Sequence, residues 1–252
     1  MQLIANESLI ECPLVRRLGL IFATAPAIRP ESSLKYDPVK NIEDLRKAYH
    51  LGALEHEDLT LDPMDMFRRW WHEAIGAEIE EANAMTLATA NAQGQPFARI
   101  VLLKGLHQEG FEFFTNYDSD KAKEMAENPQ VALLFFWKEM ERQVRIEGKV
   151  EKVSKERSEQ YFQSRPRGSQ IGAWTSPQSQ VIPDRSVLEA NAKQVEEKFA
   201  DIDPLPVPEH WGGYIVRPHT IEFWQGRANR LHDRFRYGLQ PDGHWAINRL
   251  AP

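Results

Sequence analysis

Residues 131–153 read V-A-L-L-F-F-W-K-E-M-E-R-Q-V-R-I-E-G-K-V-E-K-V. Two runs rich in β-branched and aromatic residues lie here, Val131–Phe136 and Glu141–Val153. Within Arg142–Glu147 apolar and polar residues alternate, the two-residue repeat of a strand, which places Gln143 in one. Runs of the same kind precede it at Met85–Ala90, Phe97–Lys104 and Phe111–Thr115. Others follow at Trp211–Val216, Thr220–Gln225, Leu231–Tyr237 and Trp245–Asn248. Asn91–Gln95 and His107–Gly110 have the composition of hairpin turns.

Helical signals are interspersed. A short helix is predicted over Asn41–Tyr49. Asp62-Pro63 supplies an N-cap and a first-turn proline for a helix to about Ile75. Its Met66, Phe67, Trp70, Trp71 and Ile75 recur at helical spacing and are expected in the core. Further helices are predicted from Asp118-Ser119, after Ser154, and from about Asp184 to Ala200. Consecutive antiparallel strands with inserted helices imply an α+β barrel rather than a doubly wound sheet. No G-x-G-x-x-G follows a strand, so a Rossmann dinucleotide site is not expected.

The chain has 252 residues, 42% hydrophobic, with a formal net charge of −6, enough for one good core. An acidic balance argues against broad binding to nucleic acid or a membrane surface. The single Cys12 fits a reducing, cytoplasmic setting. No apolar run reaches the length of a membrane span. Residues 1–40 differ from the rest. Leu14–Ile28 is apolar, with Arg16, Arg17 and Pro26, and reads as a disordered extension or an organelle-targeting segment. Glu7 and Glu11 count against the second reading.

Four segments could carry chemistry. Residues 221–234 read I-E-F-W-Q-G-R-A-N-R-L-H-D-R, crowding cations beside an apolar platform. If Arg230–Arg234 is extended, Arg230, His232 and Arg234 share one face and call for an anion between them. In Phe114–Lys121 a helix N-terminus with Thr115, Ser119 and Lys121 suits a phosphate, although capping alone explains Ser119. Tyr161–Ser169 offers a phenol, two guanidiniums and two hydroxyls, with Tyr161 and Arg165 one helical turn apart and Gly168 permitting a tight bend before Ser169, again suited to a phosphate monoester, or else a surface cluster. Ala98–Lys104 is an apolar strand with Arg99 and Lys104 near its ends, and taken alone reads as a buried strand with solvated ends. Gln143 and Gln178 can read a heterocycle's polar edge but are equally ordinary surface residues.

Together these segments resemble the pyridoxamine 5′-phosphate oxidase family over roughly Asn41–Pro252, including E-F-W-Q then R-L-H-D-R from Glu222 to Arg234 and the closing Arg249-Leu-Ala-Pro252. The resemblance implies a Greek-key split β-barrel with surrounding helices, and a homodimer with FMN at its interface. It also implies oxidation of pyridoxamine or pyridoxine 5′-phosphate to pyridoxal 5′-phosphate, with dioxygen as acceptor. By motif position, Arg99, Ile100, Val101, Leu102, Lys104, Phe114 and Thr115 would line FMN. Ser119, Asp120 and Lys121 would meet its phosphate, with Gln143, Gln178, Ser179, Trp224 and Arg234 completing the cofactor site. Substrate would fall to Lys104, Tyr161, Arg165 and Ser169 at its phosphate, and to Arg230, Leu231 and His232 at its ring. Arg230 and His232 would be catalytic, orienting the ring and helping to deprotonate the amine or alcohol. Arg46 and Tyr49 match a segment able to cover the site. No metal is implied.

One departure stands out. Ser119-Asp120-Lys121 occurs where the family commonly has Ser-Arg-Lys. A carboxylate aimed at the phosphate would replace a charge-assisted hydrogen bond of about 1.5–3 kcal/mol, roughly tenfold to hundredfold in affinity. Turned outward, it would be a favourable first-turn acid. The competing readings are a split barrel that binds flavin or carries pyridoxal phosphate without turnover, and an RNA-binding module, which the acidic balance opposes.

Overall fold

Nine strands form one antiparallel sheet that curls on itself in the computed structural model, which describes Glu43, Leu45 and residues 47–252. The predicted extension 1–40 and Arg46 lie outside the described residues, as does most of the predicted helix at 41–49. Residues 47–49 of that helix are irregular instead.

Helix α1 (Pro63–Gly76) begins as its cap predicts. Asp62 Oδ1 accepts from Met64 N–H at 2.7 Å, and Pro63 occupies the first helical position. Met64, Met66, Phe67, Trp70 and Ala74 are buried on one face. Trp71 packs half-buried against the core, but Ile75, in the last turn of the helix, is 53% exposed while its neighbour Ala74 is buried. Phe67 meets Phe111 and Phe135 edge-on, with ring centroids 4.9 and 5.1 Å apart.

Strands β1 (Ala84–Ala90) and β2 (Pro96–Leu102) form a hairpin whose turn is held by Asn91 Oδ1, accepting from Gln93 and Gln95 N–H. Gly94 supplies the required positive φ of 80°. The short β3 (Gly105–His107), absent from the sequence reading, pairs with β4 (Gly110–Asn116) across the predicted His107–Gly110 turn. Helix α2 (Asp120–Glu127) leads into β5 (Gln130–Trp137), and β6 (Arg142–Lys152) follows. Helices α3 (Lys155–Ser164), α4 (Arg167–Thr175) and α5 (Ser186–Lys198) come next, then β7 (Trp211–Gln225), β8 (Asp233–Leu239) and β9 (Trp245–Arg249).

The order is β2-β1-β5-β6-β7-β4-β3, with β8 also on β7 and β9 on β8. Strand β7 makes this possible. Its first half pairs with β4, its second half with β8, and β6 lies along its other edge. Trp211–Val216 and Thr220–Gln225, expected as two strands, are therefore one. The Arg217-Pro218-His219 link holds a β-bulge opposite Glu147/Gly148, where Pro218 opposes Gly148 and Thr220 opposes Glu147. Gly148 is needed there, since a Cβ would sit 2.3 Å from Arg217 O.

Two further expectations fail. The chain from Arg230 to Arg234 is not one extended strand: Ala228–Arg230 form a 3-10 turn, and Asn229 and Arg230 have φ of 57° and 62°. The three cations therefore do not repeat on one strand face. The bend expected at Gly168 lies instead at Arg165-Pro166, and Gly168 and Ser169 sit inside α4. Proline favours an extended residue before it, which ends α3.

Candidate active site

Where β2, β4, α3 and α4 meet, two adjoining clefts of about 260 and 340 Å³ share Phe114, Thr115, Arg165, Gln178 and Trp211. Ile100, Val101, Leu102, Lys104, Lys121 and Tyr161 line the first, and Ser169 lines the second. Their apolar wall is a stack of rings. Phe114 lies 4.0 Å from Tyr161 and 5.4 Å from Trp211, with interplanar angles of 24° and 14°. The stack is braced from behind by Arg157, one turn before Tyr161, which donates to buried Glu112 through Nε at 3.0 Å and Nη2 at 2.6 Å.

Arg165 lies over the Trp211 ring, 4.8 Å from its centroid. Its Nη1 is buried without a hydrogen-bond partner, and burial pushes its pKa down, with Tyr161 opposing. A cation held this way costs free energy unless an anion completes it.

Lys121 gathers a second anion site. Its Nζ lies 2.9 Å from Gln178 Oε1, 3.2 Å from Thr115 Oγ1 and 3.3 Å from Ser119 Oγ. Burial, then the Arg99 charge, lowers its pKa, while Glu124 and Asp120 oppose. Arg99 is held by Glu124 at 2.6 Å and by Thr89 Oγ1 at 2.5 Å. Ser119 is fully buried and donates to Asn116 O at 2.7 Å, so it shapes the turn as well as meeting Lys121. Asp120 N–H donates to Ser179 Oγ at 3.3 Å. The Asp120 carboxylate turns outward to Lys123 at 3.6 Å, both side chains about two-thirds exposed, which is the first-turn-acid reading. A lysine with hydroxyls and a side-chain amide beside a helix N-terminus is the kind of donor set a phosphate requires, so these residues fit a phosphate such as that of FMN.

The remaining residues gather elsewhere, and neither cleft is lined by Gln143, Trp224, Arg230, His232 or Arg234. Gln143 opposes Trp224, which opposes Arg234, across β6, β7 and β8. His232 lies 4.6 Å from Trp224, and Tyr49 meets both rings at 5.8 Å. His232 Nδ1 accepts from Arg227 N–H at 3.1 Å. Burial, then Arg230, lowers its pKa, with Asp233 opposing. Leu231 is 70% exposed. Arg234 donates to Glu222 Oε1 and to Ala251 O, each at 2.8 Å, which ties the chain terminus to the motif.

Trp211, Glu112, Arg157 and Asp233 escaped the sequence reading. Buried Asp233 accepts from Leu54 N–H, Arg227 and Arg249, each at 3.1 Å, and so fixes the loop carrying His232. Only their pairing across distant elements reveals these roles. Among the described residues no cluster of three metal-ligating side chains occurs, and no helix is long and apolar enough to cross a membrane.

The family model described as pyridoxamine 5′-phosphate oxidase matches residues 71–199. That described as pyridoxine 5′-phosphate oxidase C-terminal dimerisation region matches residues 211–252. A pyridoxine/pyridoxamine 5′-phosphate oxidase of Salinibacter ruber is 54% identical, covering 85% of this chain and all of the relative. One from Ralstonia nicotianae is 56% identical, covering 84% and 99%. Among solved structures, PhzG of Burkholderia lata with tetrahydrophenazine-1-carboxylic acid aligns with TM-score 0.76 at 27% identity, covering 82% of this chain and all of its own. An FMN-binding protein of Nostoc punctiforme related to pyridoxamine 5′-phosphate oxidase shares the fold, with TM-score 0.60 at 17% identity, covering 77% and 100%. The split barrel, the phosphate-suited clefts and relatives matched over nearly their whole length agree: the chain is an oxidoreductase belonging to the pyridoxine/pyridoxamine 5′-phosphate oxidase family.

Proposed function

We propose that the chain binds FMN and oxidises pyridoxamine 5′-phosphate and pyridoxine 5′-phosphate to pyridoxal 5′-phosphate, with dioxygen as final acceptor. The amine reaction consumes water and dioxygen and releases ammonia and hydrogen peroxide; the alcohol reaction consumes dioxygen and releases hydrogen peroxide. The observation that carries this reading is Arg165, whose buried, unpartnered Nη1 sits beside Tyr161 and Lys104 in a cleft walled by aromatic rings. A planar ring with one phosphate arm satisfies both features.

Lys121, Thr115, Ser119 and Gln178 would hold the FMN phosphate, while Ile100–Leu102 would lie along the cofactor. When bound, FMN supplies the two-electron acceptor for hydride lost from the substrate's C4′ carbon. Arg165, Lys104, Tyr161 and Ser169 would clamp the substrate phosphate, so orientation is fixed before reaction. His232 has a narrower role than the sequence implied. Because its Nδ1 accepts a backbone N–H, the neutral ring carries its proton on Nε2. It therefore donates a hydrogen bond to the substrate and does not remove its proton.

The separation of the Trp224–His232 group from the phosphate clefts supports a homodimer in which one copy's group completes the other's cleft. The dimerisation-region match and the exposed Ile100, Phe136 and Leu231 support the same arrangement. A reducing, cytoplasmic setting fits the single cysteine. Anaerobic mixing of the FMN-loaded protein with pyridoxamine 5′-phosphate tests the reading. Bleaching of the flavin spectrum is expected, then peroxide and ammonia on admitting air. A spectrum that does not bleach indicates a carrier and overturns it.

A further inference from the structure

Glu141 is 1% exposed and stands in left-handed backbone, φ 55°, between the 3-10 turn Lys138–Met140 and β6. A residue with a Cβ enters that region only when its surroundings hold it there. Here the surroundings are two chain segments distant in sequence. Glu141 Oε2 accepts from His50 N–H at 2.8 Å and Leu51 N–H at 3.1 Å, and Oε1 lies 3.3 Å from Lys47 Nζ. Burial pushes its carboxyl up, but the backbone bonds and Lys47 outweigh it and leave the group below its ordinary range. On the other side, its carbonyl accepts from Gly226 N–H at 2.8 Å and Gln225 Nε2 at 3.3 Å. Gly226 opens the loop that carries Arg227 and His232. A Cβ on Gly226 would lie 2.9 Å from Tyr49 Cγ and 3.0 Å from Glu141 Cβ, so the three residues meet at one point.

We propose that Glu141 is a positioning residue that locks Tyr49 and the Gly226–His232 loop together as one wall of the substrate site. Its carboxylate fixes the 47–51 segment, its carbonyl fixes the loop, and the Tyr49 ring lies between, edge-on to Trp224 and beside His232. The link to substrate rests on the functional reading above; the lock itself does not.

The test uses the FMN-loaded protein and Glu141→Gln. The amide keeps the shape but offers a neutral acceptor to the two N–H groups and points a donor at Lys47. Exchange of the His50 and Leu51 amide hydrogens should quicken about tenfold. KM for pyridoxamine 5′-phosphate should rise about tenfold, with kcat within about threefold and the flavin retained. Lys47→Met, at a largely exposed residue, should quicken the same exchange about threefold. Tyr49→Ala should raise KM while both amides stay protected. Unchanged exchange in Glu141→Gln and Lys47→Met overturns the lock, whatever the substrate proves to be. Faster exchange with unchanged KM overturns the positioning role, as does loss of flavin together with both kinetic constants.

Discussion

Replacing Arg165 by Met separates a binding cation from a structural one. The guanidinium is half-buried over Trp211, and its Nη1 has no partner in the folded chain. Toward a phosphate ester, the substitution removes at least one charge-assisted hydrogen bond, about 1.5–3 kcal/mol, or roughly tenfold to 150-fold in affinity. Toward folding, opposing effects nearly cancel. Relief of an unsatisfied buried donor returns about 1–3 kcal/mol, and the lost cation–π contact with Trp211 costs about 0.5–2 kcal/mol. Methionine still covers the ring. KM for pyridoxamine 5′-phosphate should therefore rise at least tenfold, with kcat and flavin occupancy little changed and the thermal midpoint unmoved or higher. Unphosphorylated pyridoxamine supplies the control, since its turnover should hardly respond. A KM within twofold of the parent, or a midpoint lowered by more than about 5 °C, would refute the reasoning.

Because Asp120 faces Lys123, Asp120→Asn should change FMN affinity less than about threefold, whereas Asp120→Arg should tighten it about tenfold by adding a phosphate donor; fluorescence titration of the apoprotein measures both. The His232 pKa lies below its ordinary value, so the unfolded chain takes up that proton first. Its contribution to stability is complete above about pH 6.5 and fades as pH falls. Protonation also sets Nδ1–H against Arg227 N–H, so kcat/KM should fall on the acid side. Arg230→Gln, by removing a depressing charge, should shift that limb toward higher pH. Tyr214 and Tyr237 are pushed up to about 12 by burial. Their unfolded hydroxyls ionise near 10, so stability should decline from about pH 10 toward 12, seen as tyrosinate absorbance appearing together with unfolding.

Local chemistry made much of this legible. Asp62-Pro63 announced α1, Asn91–Gln95 announced its hairpin, and alternation announced β6, because each depends on neighbours in sequence. Residues 167–175 escaped because the helical signal is weak and Gly168 reads as a break. Arg230 was misplaced for a different reason. It lies in a loop anchored at Asp233 by contacts from Leu54, Arg227 and Arg249, which no window of sequence contains. The phosphate-binding types at Lys121 and Arg165 were visible as residues, but the ring stack that confines them joins β4, α3 and β7. Glu141 looked like one more strand-edge carboxylate, and its value lies wholly in what 47–51 and Gly226 bring to it.

The bulge in β7 acts on every residue that follows it. Before it, even-numbered residues, Tyr214 and Val216, enter the core; after it the odd-numbered Ile221 and Phe223 do. His219 is the single inserted residue that changes parity, while β6 keeps one phase throughout with Val144, Ile146 and Val150 inward. Straightening the strand with His219 kept in the ladder would turn Glu222 and Trp224 into the barrel and expel Ile221 and Phe223, whereas deleting His219 would leave a regular ladder with every facing unchanged. Trp224 and Arg234 therefore keep the outer face because the bulge takes up one extra residue far from either of them.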